Sequence, residues 1–123
     1  GYWEWNVNTG KVDWSKQVYE ILHLDPSEFS PRIDSIMALS PWPEDNKRHE
    51  EIIQRFLQTK EKGSFDQKLM NHDGSIGYYY STFGGKFDAE GNLTTMQGTI
   101  VDITERKKAE EELWQLRILR RRL

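Results

Sequence analysis

The segment that decides the fold is MQGTIVDITERKKAE, residues 96–110. Up to Ile103 it is rich in β-branched residues, which favour strands. From Thr104 it is rich in Glu, Lys and Ala, which favour helices. We predict that Thr104 is the N-cap, because its hydroxyl can accept a hydrogen bond from a free amide of the first turn. The segment therefore predicts a strand with a core face that continues directly into a helix leaving the domain.

Composition limits the classes of function. The chain has 123 residues, enough for one domain, and its formal charge of -3 gives no reason to expect a nucleic-acid partner. It contains no cysteine, which excludes disulfides, thiolate metal sites and photochemistry that adds a cysteine to a flavin. No apolar run approaches the ~20 residues that span a bilayer. We expect no membrane span and a cytoplasmic location, and we interpret the chain as a module of a longer protein.

Hydrophobic periodicity predicts an α+β domain with five strands and three internal helices. The longest internal helix is predicted to span Glu44–Lys62 and to end at Gly63. Shorter helices are predicted after Ser15, as N-cap, and at Ile33–Leu39. A glycine pair inside a strand, Gly84-Gly85, predicts a bulge or bend. The predicted strands are residues 1–7, 11–14, 64–71, 76–87 and 93–103.

Several motifs stand in an order that resembles a known family. Gly98–Lys107 resembles the end of a PAS domain, a sensory module in which the last strand closes with Asp-Ile-Thr and an output helix follows. The opening Gly1–Asn6 and the segment Tyr19–Leu22 are similar to a Trp-rich PAS subfamily. Turn signals at Asp73-Gly74 and Gly91-Asn92 stand where the family has hairpins. The resemblance implies a five-stranded antiparallel sheet in the order 2-1-5-4-3, with helices on one face.

The resemblance also implies how the chain divides. Residues 1–104 would form the sensory domain, and residues 105–123 would start a coiled-coil output helix. Asp102, Ile103 and Thr104 would couple the core to that helix, with Asp102 held by a hydrogen bond or an ion pair. The alternative is that Thr104 merely caps the helix while Asp102 is exposed. Only the first interpretation predicts a change in output when Thr104 is replaced.

The C-terminal helix has a coiled-coil pattern. Apolar residues recur at alternating spacings of four and three, with one arginine in the series. The predicted seam is Ala109, Leu113, Leu116, Arg120 and Leu123. We expect a parallel homodimer, and the alternative is that the helix folds back on its own sheet. The basic residues Arg117 and Arg120–Arg122 could instead form a membrane or nucleic-acid patch, but a solvated flank of the coiled coil is favoured.

Aromatic residues on the predicted strands and the long helix could line a ligand pocket. These residues are Trp3, Trp5, Trp14, Phe56, Tyr78, Tyr80 and Phe83. The alternative is a filled core, since alternating large rings are what a small sheet uses to fill space. His49 lies on the inward stripe of the long helix, and in haem-binding PAS domains the proximal histidine lies on this helix. A haem held by His49 is therefore an alternative, although no cofactor is required.

The sequence predicts no catalytic activity and no metal site. Carboxylates are not paired by spacing, the histidines are scattered, and no glycine-rich phosphate loop is present. We expect a PAS sensory and dimerisation module that relays a signal through its C-terminal helix. Its effector would be a histidine kinase or a diguanylate cyclase in the same full-length chain. The alternatives are a ligand-free structural relay and a haem-based gas sensor.

Overall fold

The computed structural model describes residues 1–122, so Leu123 of the predicted seam lies outside the described residues. Its strands are β1 Tyr2–Asn6, β2 Val12–Trp14, β3 Gly63–Met70, β4 Ile76–Phe87 and β5 Leu93–Asp102. Its helices are α1 Lys16–Ile21, α2 Ile33–Met37, α3 Pro43–Thr59 and α4 Thr104–Arg122. No helix within residues 1–122 is long and apolar enough to cross a membrane.

The strands form one antiparallel sheet in the order β2-β1-β5-β4-β3. This confirms the predicted α+β class and the predicted strand order. The last strand, β5, lies in the middle, where Met96 is opposite Trp5 of β1 and Gly98 is opposite Phe83 of β4. A change in packing against either neighbour therefore reaches the strand that leads into α4.

The inner face of the sheet carries the core, and the internal helices pack on it. Val18 and Leu22 of the α1 region meet Leu69, Tyr79 and Ile100 from three strands in one buried cluster. Burying such side chains stabilises the fold by roughly 1.5–3 kcal/mol each. The predicted cap Ser15 differs in detail, because its hydroxyl accepts the Tyr2 N–H at 2.9 Å instead of a helix amide. Ser15 thus ties α1 to β1.

The predicted end of the long helix was wrong. The helix ends at Thr59, and Lys60 takes a left-handed conformation with φ 59° while its N–H donates to the Phe56 carbonyl. Gly63 instead begins β3. A Cβ there would lie 2.8 Å from the Phe83 ring, so the glycine permits close packing at this point and does not stop the helix.

The predicted bulge at Gly84-Gly85 was also wrong. Both residues pair regularly with β5, and the register shift falls later, between Lys86 and Phe87. Gly85 serves packing instead, because a Cβ there would lie 2.8 Å from the Phe56 ring. The glycine lets α3 approach the sheet closely.

The alternation of side chains along β4 shows that Tyr78 and Tyr80, predicted to line the pocket, lie on the outer face of the sheet. Tyr79 is 1% exposed and faces the helices, whereas Tyr80 is 37% exposed and faces away, as Tyr78 also does. Successive strand residues alternate in face, and the pairing is regular here, so Phe83 shares its face with Tyr79. The Tyr79 hydroxyl donates to the Ile21 carbonyl at 3.4 Å. Burial raises the pKa of Tyr79 to about 12.

Candidate functional site: a cavity and its link to the last helix

A cavity of about 140 Å³ lies between the inner face of the sheet and helices α2 and α3. All five strands and all three internal helices contribute to its wall. Trp3, Trp5 and Trp14 line it, as the sequence interpretation proposed. Most of the other lining side chains are aliphatic or aromatic, among them Ile36, Ile52, Ile53, Phe65, Leu69, Met96 and Ile100. The space is apolar and small.

The other four predicted pocket residues do not line this cavity. Phe56 is buried, and its ring meets Phe83 edge-to-face with the centroids 5.4 Å apart. Phe65, which also lines the cavity, and Phe87, which is partly exposed, extend this aromatic cluster. Tyr78 and Tyr80 belong to the opposite face of the sheet. The filled-core alternative therefore applies to Phe56 and Phe83, whereas Tyr78 and Tyr80 lie outside the core on the outer face.

The cavity wall holds an unusual set of polar groups. Within residues 1–122, four buried side-chain polar atoms lack a hydrogen-bond partner: Trp5 Nε1, Ser40 Oγ, Asn46 Oδ1 and His49 Nε2. All four belong to residues that line the cavity. A buried polar atom without a partner costs about 1–3 kcal/mol, so each of these four atoms requires an explanation. The sequence interpretation missed Ser40 and Asn46, although Asn46 lies one turn before His49 on the inner stripe of α3.

His49 is therefore a cavity residue with a neutral ring. Burial lowers its pKa, the Arg48 cation lowers it further, and Asp45 acts in the opposite direction. Its ring packs edge-on against Phe65 with centroids 4.7 Å apart. The cavity is too small for a haem, which has four pyrrole rings. Its volume of about 140 Å³ is close to that of an engineered cavity of about 150 Å³ in another protein, which a single benzene molecule fills.

We expect the domain to lose stability as the pH falls below 6.5. The unfolded chain binds a proton at His49 near the ordinary pKa of 6.5, whereas the folded domain binds it only at lower pH. The contribution is complete above pH 6.5 and is lost as the pH falls towards the folded pKa. Urea denaturation across this range measures the slope. His49→Gln should flatten it. An unchanged slope in His49→Gln would contradict this assignment.

The junction between β5 and α4 is held by hydrogen bonds to β4. The Thr104 hydroxyl accepts the Tyr78 N–H at 3.0 Å, and the Ile103 N–H donates to the Tyr78 carbonyl at 2.8 Å. The Asp102 carboxylate accepts the Thr104 N–H at 2.9 Å and the Thr104 hydroxyl proton at 2.6 Å. The capping role predicted for Thr104 thus falls to Asp102, while Thr104 anchors the helix start to the neighbouring strand.

A second set of contacts, which no sequence pattern predicts, links the cavity wall to α4. The Arg48 guanidinium, beside His49 on α3, donates to the Asp66 carbonyl on β3. The Asp66 carboxylate lies 3.6 Å from the Lys107 ammonium in the first turn of α4. Asp66 therefore contacts both the helix that walls the cavity and the helix that leaves the domain.

Beyond its first turn, α4 does not lie on the sheet. Leu113 and Leu116 are 56% and 54% exposed, and Trp114 and Leu119 are exposed as well. The alternative, in which the helix folds back on its own sheet, is therefore not what the structure has. Salt bridging within the helix, such as Arg106 to Glu110 at 3.7 Å, lies on the solvated surface. The apolar residues of the helix remain available to a partner.

Comparison with known proteins places this geometry in a family. A family model described as "PAS fold" matches residues 11–100, well over half of the chain. The probable diguanylate cyclase DgcE of Escherichia coli (strain K12) is 25% identical over 115 residues, which cover 94% of this chain. The match covers 10% of that relative, so the chain spans about a tenth of its length.

Solved structures have the same architecture. A sensory box histidine kinase/response regulator from Burkholderia thailandensis E264 matches with a TM-score of 0.79 and 25% identity, over 100% of this chain and 91% of that chain. The N-terminal domain of a diguanylate cyclase with PAS/PAC sensor from Marinobacter aquaeolei matches with a TM-score of 0.74 and 15% identity, over 86% and 96%. The sheet order, the C-terminal helix and the family match agree, and the chain belongs to the PAS-fold family.

Proposed function

We propose that the domain is a sensory and dimerisation module whose cavity binds a small molecule and whose α4 carries the response to an effector. The effector would be a histidine kinase or a diguanylate cyclase in the same full-length chain, by analogy with the relatives named above. The observation that carries the proposal is the pair of contacts at Asp66, which join the cavity wall to the first turn of α4. The domain acts by binding and catalyses no reaction itself.

Two routes connect the cavity to α4. In the first, Ile100 and Met96 on β5 line the cavity, and the same strand continues through Asp102 into the junction. In the second, a shift of α3 moves Arg48 and with it Asp66 and Lys107. Either route changes the angle or rotation at which α4 leaves the sheet. A ligand drives this change only if it binds the two arrangements with different affinity.

The readout requires a second chain. The described seam positions Ala109, Leu113, Leu116 and Arg120 lie along one side of α4, with both leucines exposed. Two such helices side by side would bury these leucines in a parallel coiled coil. Rotation or splay of the pair is then a signal that the following effector domains can receive.

The relay can be tested with benzene, which fills an apolar cavity of similar size in another protein. We expect benzene to shift the NMR amide signals of the cavity residues and also those of Thr104–Lys107. Shifts confined to the cavity would contradict the relay and favour a ligand-free structural module. The same spectra acquired on variants show which of the two routes connects the cavity to α4.

Thr104→Val should keep the benzene shifts at the cavity and reduce those in α4. The variant leaves the Tyr78 N–H without its acceptor, at a cost of about 1 kcal/mol in unfolding free energy. Thr94→Val is the matched control, because its hydroxyl also donates one bond, to the Lys86 carbonyl at 3.1 Å, but far from the junction. If both variants reduce the α4 shifts equally, the effect reflects lost stability and not the junction.

A further inference from the structure

The size and charge of the cavity wall limit what it can hold. A volume of about 140 Å³ is close to that of a cavity filled by benzene and below the usual range for drug-sized ligands. None of the described residues that line the cavity is Asp, Glu, Lys or Arg. An ionised ligand would lose its hydration without gaining a counter-charge, which is strongly unfavourable. The occupant is therefore small and neutral.

The unpartnered atoms add a polar requirement. Indole Nε1–H can only donate, so Trp5 calls for an acceptor, whereas Trp3 already donates to the Thr99 carbonyl at 3.3 Å. Asn46 calls for a donor, because its Oδ1 is free while its Nδ2 donates to the Ser40 carbonyl at 3.2 Å. The Ser40 hydroxyl and neutral His49 can serve either way. An occupant with both a donor and an acceptor matches this set.

We propose that the cavity binds a neutral single-ring aromatic molecule bearing a hydroxyl or an equivalent donor-acceptor group, as in phenol. The aromatic rings of Trp3, Trp14 and Phe65 in the wall suit an aromatic body. The hydroxyl would accept from Trp5 and donate to Asn46. This inference rests on the proposed function, because it names the ligand class of the same cavity.

Two of the four polar groups that would bind the ligand, those of Asn46 and His49, belong to α3, the helix whose Arg48 contacts Asp66. The four unpartnered atoms are covered by neighbouring groups, so pairing with a ligand requires small rotations of their side chains. Asn46 and His49 stand on α3 on either side of Arg48, whose guanidinium holds Asp66. Rotations at these two positions act directly on the contact that leads to Lys107.

The test is a titration of the domain with phenol, benzene and benzoate at neutral pH, followed by NMR. Each hydrogen bond contributes modestly, so phenol should bind about tenfold more tightly than benzene. Benzoate, which is ionised, should not bind measurably. Asn46→Leu keeps the side-chain volume and removes the acceptor but not the Trp5 donor, so the preference for phenol over benzene should become smaller in this variant. Asn8→Leu, the same change on the exposed β1–β2 turn, should leave both affinities unchanged.

The outcomes separate this inference from the proposed function. Suppose that benzene shifts the α4 signals. If phenol then binds no more tightly than benzene, or if benzoate binds most tightly of the three, the ligand class is wrong and the relay stands. If phenol binds as expected and α4 does not respond, the ligand class stands and the relay is wrong. If none of the three binds, both are overturned.

Discussion

Gly98→Ala is expected to destabilise the domain by about 3 kcal/mol or more, at the upper end of the range for overpacked cores. A Cβ at this position would overlap the carbonyl oxygen of Thr82 and would lie 2.9 Å from the Trp3 ring. The carbonyl cannot move away, because Thr82 belongs to the ladder between β4 and β5, where Phe83 is paired with Gly98 itself. The clash is therefore with backbone and not with a flexible side chain.

Gly84→Ala is the matched control for that variant. Gly84 lies on the adjoining strand, and the nearest atom to an added Cβ is the Lys62 Cβ at 3.6 Å, an ordinary contact. We expect this change to alter stability by no more than about 0.5 kcal/mol. Urea denaturation followed by tryptophan fluorescence compares the two. If the Gly98→Ala domain were as stable as the Gly84→Ala domain, the prediction would be wrong. The β4 and β5 strands would then be able to move apart and accommodate the added methyl group.

Gly98 also bears on the cavity. With no Cβ at this position, the Trp3 ring lies directly over β5, where it forms part of the cavity wall. Trp3 and Trp5 flank Glu4 on β1, and their register against Gly98 and Met96 fixes where the rings stand. The small volume of the cavity therefore depends on the close approach of β1 and β5.

The sheet could be predicted from the sequence because its information is local. Turn residues such as Asp73-Gly74 separate alternating segments, and the composition changes at one point, between Ile103 and Thr104. Strand order followed from the resemblance and was confirmed by the structure. Element ends were less certain, as the left-handed turn at Lys60 shows, because lysine carries no sequence signal for that conformation.

The tyrosine run shows where local information fails. Three consecutive aromatic residues, Tyr78 to Tyr80, satisfy a strand pattern in either parity. The position of Phe83 decides which tyrosine faces inward. Because no bulge separates them, Phe83 lies on the same face as Tyr79 and not on that of Tyr80. The small neighbours Gly77 and Ser81 are consistent with this, because a Cβ at Gly77 would overlap the Tyr79 hydroxyl.

The residues of the candidate site could be predicted only in part from the sequence, for a different reason. A residue lacks a hydrogen-bond partner only in relation to everything folded around it, so Ser40 and Asn46 carry no sequence mark of that state. Asp66 contacts Arg48 and Lys107 from positions far apart in the chain. At the junction Thr104 was expected to cap the helix, but it accepts the Tyr78 N–H while Asp102 accepts the Thr104 N–H, because a hydroxyl and a carboxylate can each cap a helix.

The double variant Leu113→Glu with Leu116→Glu is expected to convert the proposed homodimer to monomer. Each leucine buried at a coiled-coil seam contributes roughly 1.5–3 kcal/mol, and a dimer contains two copies of each. Replacing them with glutamates removes this burial and places like charges side by side. The dissociation constant should rise by at least about a hundredfold. Sedimentation velocity measures it directly.

Trp114→Glu with Gln115→Glu adds two glutamates outside the seam, on a part of α4 that is equally exposed. Since Trp114 and Gln115 lie on other sides of the helix from Leu113 and Leu116, this control should remain dimeric. Loss of the dimer in both variants would mean that charge alone, not the seam, determines association. A dimer that survives the seam variant would have to use another surface. The outer face of the sheet, where exposed Tyr80 is opposite exposed Val101, would then be the next place to substitute.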